Sequence, residues 1–265
     1  MTNIFDTHAH YDDDAFDQDR EALLEALPKN GIAKVVNVGS SLESCRKTLA
    51  LTGKYDFIYG AVGIHPSDSG ELDEESFAWL SRQYGAPKCV AVGEIGLDYY
   101  WDEPSREIQQ KWFRRQLNLA REVKKPVIIH SRDAARDTAE ILREEKAEEI
   151  GGVIHCYSYT REMAKTFLDM GFYFGIGGVL TFKNSRKLKE AAEYIPLERI
   201  VLETDCPYLA PVPNRGKRNS SLNLPYVVSA LAEVKGVDEE TLRQAVWKNA
   251  HELYRLQPVE QNHGG

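Results

Sequence analysis

Two histidines stand one residue apart near the start of the chain, in the segment Asp-Thr-His-Ala-His at residues 6–10. In an extended strand, side chains alternate between the two faces, so Asp6, His8 and His10 are predicted to project to one side. Two imidazoles on one face, with a carboxylate behind them, form a donor set that can bind a divalent cation. Such a pair is weak evidence for a metal site on its own. The positions of the other polar residues decide whether one is present.

Further histidines and carboxylates stand where other predicted strands finish. Of the seven histidines in the chain, five fall at such ends, and only His251 and His263 do not. A converging cluster of this many buried polar groups would be costly without a cation, which favours a metal centre over coincidence. The residues at the strand ends are His8, His10, His65, Glu94, His130, His155 and Asp205.

The number of candidate ligands indicates two cations. A single catalytic zinc-like site uses three protein ligands plus water, whereas four histidines and two carboxylates are available here. The last strand of a closed barrel lies beside the first, so we predict that Asp205 shares one ion with His8 and His10.

The second ion is assigned to two neighbouring predicted strands. His130 lies toward the end of the strand predicted at residues 126–132, and His155 toward the end of the one at 151–157. Glu94, toward the end of the strand predicted at 88–96, is the predicted bridge between the two ions. Paired ions about 3.5–4 Å apart stabilise both the attacking and the leaving oxygen in phosphoryl displacement. Two cations that share one carboxylate would therefore use the whole set of ligands.

Short apolar, β-branched runs alternate with amphipathic helical stretches along the chain. Such alternation predicts parallel βα units, and eight units predict an α/β fold of the (β/α)8 TIM-barrel type, with the metal site at the C-terminal mouth of the strands. The alternative is an open doubly wound sheet, whose usual six strands leave two runs unused. The predicted strands are residues 4–10, 32–38, 57–65, 88–96, 126–132, 151–157, 172–178 and 199–205.

Two helices can be predicted individually. Residues 104–124 carry apolar side chains at steps of three and four behind Pro104, a favourable first-turn residue. A final helix, roughly Asp238 to Leu256, is predicted to be an appendage or to close the bottom of the barrel. Residues 1–265 are interpreted as one hydrolase domain.

The composition restricts the possible partners and the location. The net charge is −8 and the sequence pI is about 5.5, so no overall positive field attracts nucleic acid or an anionic membrane, and phosphates must be bound locally. The N-terminus does not resemble a signal peptide, and no apolar run spans a bilayer. The four cysteines are scattered without a CxxC pair, which is typical of a reduced, cytoplasmic protein. No membrane association is predicted, and no protein partner can be inferred.

Six segments, in order over nearly the whole chain, carry a family resemblance. They are IFDTHAH (4–10), YGAVGIHP (59–66), VAVGEIGLDYY (90–100), KPVIIHSRDA (125–134), GVIHCYS (152–158) and IPLERIVLETDCPYLAPVPNRGKRN (195–219). In these motifs the chain resembles the TatD-type metal-dependent deoxyribonucleases. The resemblance implies an amidohydrolase-like TIM barrel that hydrolyses phosphodiesters in DNA, often from the 3′ end of single strands.

The resemblance also implies roles for individual residues. His65 matches an additional site histidine near the scissile phosphate. Asp205 is the candidate to orient the attacking water and take its proton, with Glu94 and His65 completing the catalytic set. Magnesium or manganese is implied for activity, although imidazole ligands also suit zinc, iron or nickel. The positions that match the family's metal ligands are His8, His10, Glu94, His130, His155 and Asp205.

The chain departs from the family pattern at two places. Ser220, Ser221, Leu222 and Asn223 follow the RGKRN segment, where the family commonly has Glu-Pro, and Cys206 stands where serine is frequent. Neither departure affects a proposed ligand, but the first lies in the loop after strand eight, which can shape substrate entry.

The substrate contacts are predicted from charge and aromatic character. The basic residues after strands seven and eight are candidates to hold the nucleic-acid backbone. Aromatic residues after strands four and six could stack unpaired bases or pack the loops. The basic candidates are Lys183, Arg186, Arg215, Lys217 and Arg218, and the aromatic ones are Tyr99, Tyr100, Trp101, Tyr157 and Tyr159.

Two rival functions use nearly the same ligands. Amidohydrolases and lactonases cleave small molecules and often bridge two metals through a modified lysine on strand four, where this chain has Glu94. A metal-binding scaffold without turnover is the third possibility. The predicted substrate is nucleic acid, most often single-stranded DNA, with RNA as an option.

Overall fold

The computed structural model of the protein describes residues 3–101 and 103–257, so His263 lies outside the described residues. Eight parallel strands form one sheet in chain order, and a bridge between Ala9 and Cys206 joins its two ends. The predicted TIM barrel is therefore confirmed. The strands are β1 (Ile4–Ala9), β2 (Ile32–Val38), β3 (Ile58–Val62), β4 (Cys89–Asp98), β5 (Val127–Arg132), β6 (Gly152–Ile154), β7 (Tyr173–Ile176) and β8 (Ile200–Leu202).

A helix follows each strand and covers the barrel from outside. Their apolar faces pack against the outer side chains of the strands in a continuous core. Within the described ranges, no helix has the length and apolar character needed to cross a membrane. The helices are α1 (Arg20–Lys29), α2 (Leu42–Lys54), α3 (Glu74–Gln83), α4 (Arg106–Val123), α5 (Ala135–Glu144), α6 (Arg161–Asp169), α7 (Arg186–Tyr194), α8 (Leu224–Lys235) and α9 (Glu239–Leu253).

Helix α4 confirms the periodic pattern but begins later than predicted. Ser105 occupies the N-cap position, so Pro104 precedes the cap rather than forming the first turn. Trp112 and Leu117 are buried, whereas Ile108 is 39% exposed and does not belong to the buried face.

The last helix, α9, closes the bottom of the barrel. The Phe5 ring, inside the barrel, lies 6.2 Å from the ring of Trp247 and 6.0 Å from that of Tyr254. The Tyr254 hydroxyl donates a hydrogen bond of 2.8 Å to the carbonyl of Thr7 in β1. This end of the barrel is filled, which leaves the opposite, C-terminal mouth for the polar residues.

Strand β1 does not alternate regularly, and this overturns one prediction. The register between β1 and β2 shifts between Asp6 and Ala9, as in a β-bulge. The Asp6 carboxylate is fully buried and accepts hydrogen bonds from the hydroxyls of Thr204, at 2.7 Å, and Ser221, at 2.6 Å. Asp6 therefore does not stand behind His8 and His10; it anchors the loop after β8, through one of the serines that depart from the family pattern.

Candidate metal centre

The six predicted ligands meet at the C-terminal mouth of the barrel. His8 lies in β1 and His10 directly follows it, Glu94 lies in β4 and His130 in β5. The other two follow short strands: His155 comes directly after β6 and Asp205 three residues after β8. These side chains are buried or nearly so, with no lysine or arginine paired to them among the described ion pairs.

One half of the cluster surrounds a common point. The Nε2 atoms of His8 and His10 lie 3.0 Å apart, and Asp205 Oδ1 lies 3.7 Å and 3.3 Å from them, respectively. Glu94 Oε2 lies 3.4 Å from His8 Nε2 and 3.8 Å from His10 Nε2. Ligands about 2.0–2.1 Å from a tetrahedral cation stand about 3.3 Å from one another. The donor spacing therefore fits a divalent cation.

The other half uses the second oxygen of Glu94. Oε1 lies 2.7 Å from His130 Nδ1 and 3.6 Å from His155 Nε2. Asp205 Oδ1 lies 3.6 Å from the same His155 nitrogen. Each carboxylate oxygen of Glu94 thus faces one histidine pair, which is the arrangement of a bridging ligand.

Two further carboxylates lie beside the histidine rings. Asp98 Oδ2 lies 3.0 Å from His130 Nε2, and Glu203 Oε1 lies 3.2 Å from His155 Nδ1. Metal-bound histidines commonly donate their second N–H to a carboxylate, which fixes the tautomer and ring plane. Neither Asp98 nor Glu203 was predicted from the sequence. Their signal was available: Asp98 follows Glu94 by four residues on the same strand, and Glu203 precedes Asp205 by two.

The electrostatics of the cluster keep Glu94 and Asp205 ionised. Burial raises the pKa of Glu94, but the nearby histidines, above all His155, outweigh burial and hold it well below its usual range. Asp205 has a lowered pKa for the same reasons. Burial lowers the pKa of His10, but Asp205 outweighs it and raises the value to about 9. Burial also lowers the pKa of His155, but the charge of Glu203 opposes it and the pKa rises to about 10. A cation that binds here must displace protons.

His65 lies beside the ligands rather than among them. It follows the end of β3 and caps a short 3-10 helix, and its Nδ1 accepts a 3.1 Å hydrogen bond from the backbone N–H of Ser67. Its ring lies 4.3 Å from that of His130, and burial lowers its pKa to about 3. His65 is therefore a neutral imidazole whose proton resides on Nε2, available as a hydrogen-bond donor. His65, Asp98 and His130 form a third group with donor atoms close enough to hold an ion.

The cluster opens into a cavity of about 1090 Å³ at the mouth. His65 lines it, but the predicted basic contacts do not. Arg218 instead pairs with Asp19 at 2.7 Å, and Arg215 stacks on the Phe182 ring at 4.4 Å. The predicted basic residues that are absent from the lining are Lys183, Arg186, Arg215, Lys217 and Arg218.

The predicted aromatic residues divide into two groups. Tyr157 is buried, and Tyr99 and Tyr159 bond through their hydroxyls to Asp137 and Ser131, so these three pack the loops. Tyr100 and Trp101 instead expose 55% and 65% of their surfaces.

Sequence and structure comparisons agree over almost the full chain. The family described as "TatD related DNase" matches residues 5–255. The metal-dependent hydrolase YabD of Bacillus subtilis is 42% identical over 253 residues, covering 96% of this chain and 99% of the relative. The metal-dependent hydrolase TatD of Mycobacterium tuberculosis is 36% identical over 262 residues, covering 96% and 98%. Both names are qualified as uncharacterized. The crystal structure of YjjV, a TatD homolog from Escherichia coli, superposes with a TM-score of 0.90 at 31% identity, covering 96% and 98%.

Proposed function

The chain belongs to the TatD related DNase family and is a metal-dependent hydrolase; on this basis we propose that it cleaves phosphodiester bonds in DNA, removing nucleotides from the 3′ end of single strands. The observation that carries the proposal is the placement of Glu94 between two histidine pairs, one on each carboxylate oxygen. That arrangement suits two cations sharing one carboxylate. Magnesium or manganese is the proposed activating metal, and zinc, iron or nickel can occupy imidazole ligands as well.

Two-cation centres suit phosphodiesters because the reaction develops negative charge on both the attacking and the leaving oxygen. His8, His10 and Asp205 would hold one cation, His130 and His155 the other, and Glu94 both. When bound, the cations supply Lewis-acid activation of water and neutralise phosphate charge.

The remaining chemistry belongs to two side chains. Asp205 is ionised, and its side chain is 18% exposed toward the mouth, so it can orient the attacking water and accept its proton. Neutral His65 donates from Nε2 to a phosphate oxygen or to the leaving group. Glu94 contributes by fixing the spacing of the cations.

A small-molecule amidohydrolase or lactonase is less well supported. The strand-four position that offers a modified lysine in many two-metal enzymes of that kind carries Glu94 here. A scaffold without turnover would not require His65 and Asp205 to face the same cavity.

The test is degradation of a 5′-labelled single-stranded oligonucleotide with magnesium or manganese. The wild type should shorten the strand from its 3′ end, and Asp205→Asn should slow this by about 10²–10⁴-fold, the usual contribution of a general base. Asp169→Asn is the matched control, because Asp169 lies on the surface of α6 and, within the part of the chain that the structure describes, pairs with Lys165 alone.

Undiminished cleavage by Asp205→Asn would remove Asp205 from the chemistry. A metal-loaded wild type that leaves DNA intact, yet hydrolyses amides or lactones, would replace the proposal with the small-molecule function.

A further inference from the structure

We propose that single-stranded DNA reaches the metal centre across a ridge formed by Tyr100, Trp101 and Arg132, with Arg132 holding a phosphate next to the scissile one and Trp101 stacking on an unpaired base. The inference rests on the proposed function and specifies which residues select its substrate. The ridge joins the end of β5 to the loop after β4.

The charge around the mouth is uneven. The segments that follow β1, β2 and β3, including the start of α2, contribute five carboxylates to the cavity lining and a single ammonium group, that of Lys47. Lys47 pairs with Asp14 and Glu43 at 3.1 Å each. A phosphate backbone is repelled by this half of the mouth. The five carboxylates are Asp12, Asp13, Asp14, Glu43 and Asp68.

Arg132 lies on the other side of the cavity. It is the last residue of β5, two positions after His130, and among the described residues it has no carboxylate within ion-pair distance. Its guanidinium stacks on the ring of Tyr100, 3.8 Å from the centroid. Stacking fixes the plane of the guanidinium and leaves the N–H groups at its edge free to bind a phosphate.

Trp101 extends the ridge with an aromatic surface. It lines the cavity and is 65% exposed, and its ring stands at 90° to that of Tyr100 with 5.0 Å between centroids. The two rings therefore meet edge to face, and Tyr100 contacts both Trp101 and Arg132. An exposed indole is a stacking platform for a base that is not paired with another strand.

Asp98 connects the ridge to the metal centre. Its Oδ1 accepts hydrogen bonds from the backbone N–H groups of Tyr100, at 3.0 Å, and Trp101, at 3.4 Å, while its Oδ2 lies 3.0 Å from His130 Nε2. One carboxylate therefore sets the position of a metal ligand and of the loop that carries the platform. A DNA strand bound on the ridge is therefore held in a fixed position relative to the cations.

The experiment compares Arg132→Ala and Trp101→Ala on a single-stranded oligonucleotide and on bis(p-nitrophenyl) phosphate, a diester too small to reach the ridge. The ratio of kcat/KM for the oligonucleotide to that for the small diester should fall about tenfold in each variant, through KM. Arg132→Ala should also lessen the salt dependence, by about 0.7 in the log–log slope for one phosphate contact.

Matched controls come from the same chain. Arg46 is an exposed arginine that stacks on Trp79 at 4.5 Å, and Tyr226 is 44% exposed on α8; neither lines the cavity. Arg46→Ala and Tyr226→Ala should leave the substrate ratio unchanged. Ridge variants that behave like these controls would overturn the inference.

Binding of a fluorescent oligonucleotide, measured by anisotropy with the metal-loaded protein, separates this inference from the proposed function. Ridge-dependent binding without any DNA cleavage would refute the nuclease function and support the ridge. Cleavage and binding that are unchanged in Arg132→Ala and Trp101→Ala would support the nuclease function and refute the role of the ridge.

Discussion

Replacing Asp98 by asparagine should weaken metal binding at the His130 side of the cluster without removing any ligand. The carboxylate accepts from His130 Nε2 across 3.0 Å, which leaves Nδ1, 2.7 Å from Glu94 Oε1, as the ring nitrogen that can bind a cation. The asparagine can turn its carbonyl oxygen or its amide nitrogen toward His130. The oxygen that remains is already required by the N–H groups of Tyr100 and Trp101, so the amide NH2 should face the ring.

An NH2 group at this position needs a lone pair on Nε2, which moves the imidazole proton to Nδ1. That tautomer cannot offer Nδ1 to a cation. Changes to groups that orient a metal-bound histidine commonly cost 10–100-fold in affinity, equivalent to about 1.4–2.7 kcal/mol. Because Asp98 is only 2% exposed, water cannot easily replace the lost acceptor, and the upper part of that range is expected.

The assay is a competition titration of manganese against a fluorescent chelator, which resolves the tighter and the weaker cation. Asp98→Asn should weaken one of two binding steps. Asp137→Asn is the matched control, since Asp137 accepts from Tyr99 and Gln110 without contacting a ligand. Two binding steps of wild-type affinity in Asp98→Asn would refute the tautomer argument.

Three further predictions concern the whole cluster and the barrel. Removing metal with a chelator should lower Tm by about 5–10 °C in a thermal melt, because a cation at 100 times its Kd contributes about 2.7 kcal/mol; an unchanged Tm would mean that folding and metal binding are not linked. Cation affinity should fall about tenfold per pH unit from about pH 8 to pH 6. Neighbouring carboxylates raise the pKa of His10 to about 9, so the metal must displace a proton from this ligand. Affinities measured by calorimetry that stay constant over this interval would contradict the cluster's electrostatics. Phe5 is 3% exposed and packs against α9, so Phe5→Ala should lower the free energy of unfolding, measured with urea, by about 3–5 kcal/mol. Ile108→Ala should lower it by less than about 0.5 kcal/mol.

The barrel and its ligands could be predicted from sequence because both obey short-range rules. Parallel strands buried on both faces read as β-branched runs, and each of the eight runs forms a strand. Ligands at strand ends need no knowledge of packing, since all C-terminal ends meet at one mouth. His155 and Asp205 were placed at the mouth although their strands end at Ile154 and Leu202.

The orientation of Asp6 could not be predicted from the strand period. A register shift between Asp6 and Ala9 interrupts the alternation, and it is defined by pairing with β2, far away in sequence. Asp98 and Glu203 lie close in sequence to Glu94 and Asp205, but each acts on the second nitrogen of a histidine on or directly after another strand, and that contact is visible only in the fold.

The loop after β8 shows that basic residues clustered in the sequence need not leave their charges free in the fold. Arg218 follows a run of cations in sequence, but in the fold Asp19 neutralises it and the Phe16 ring lies 4.8 Å from its guanidinium carbon. Arg132, a single cation in the sequence, stacks on the Tyr100 ring but has no carboxylate partner among the residues with described positions. Contacts with DNA by Lys183, Arg215, Lys217 and Arg218 stay predictions.

We propose that the mouth of this barrel holds two cations bridged by Glu94, and the most direct test of this centre counts metal ions per chain by elemental analysis. Wild-type protein reconstituted with manganese should contain two ions, and His130→Ala should contain one, because His8, His10 and Asp205 are untouched. A single ion in the wild type, or two ions still held by His130→Ala, would contradict the bridged centre.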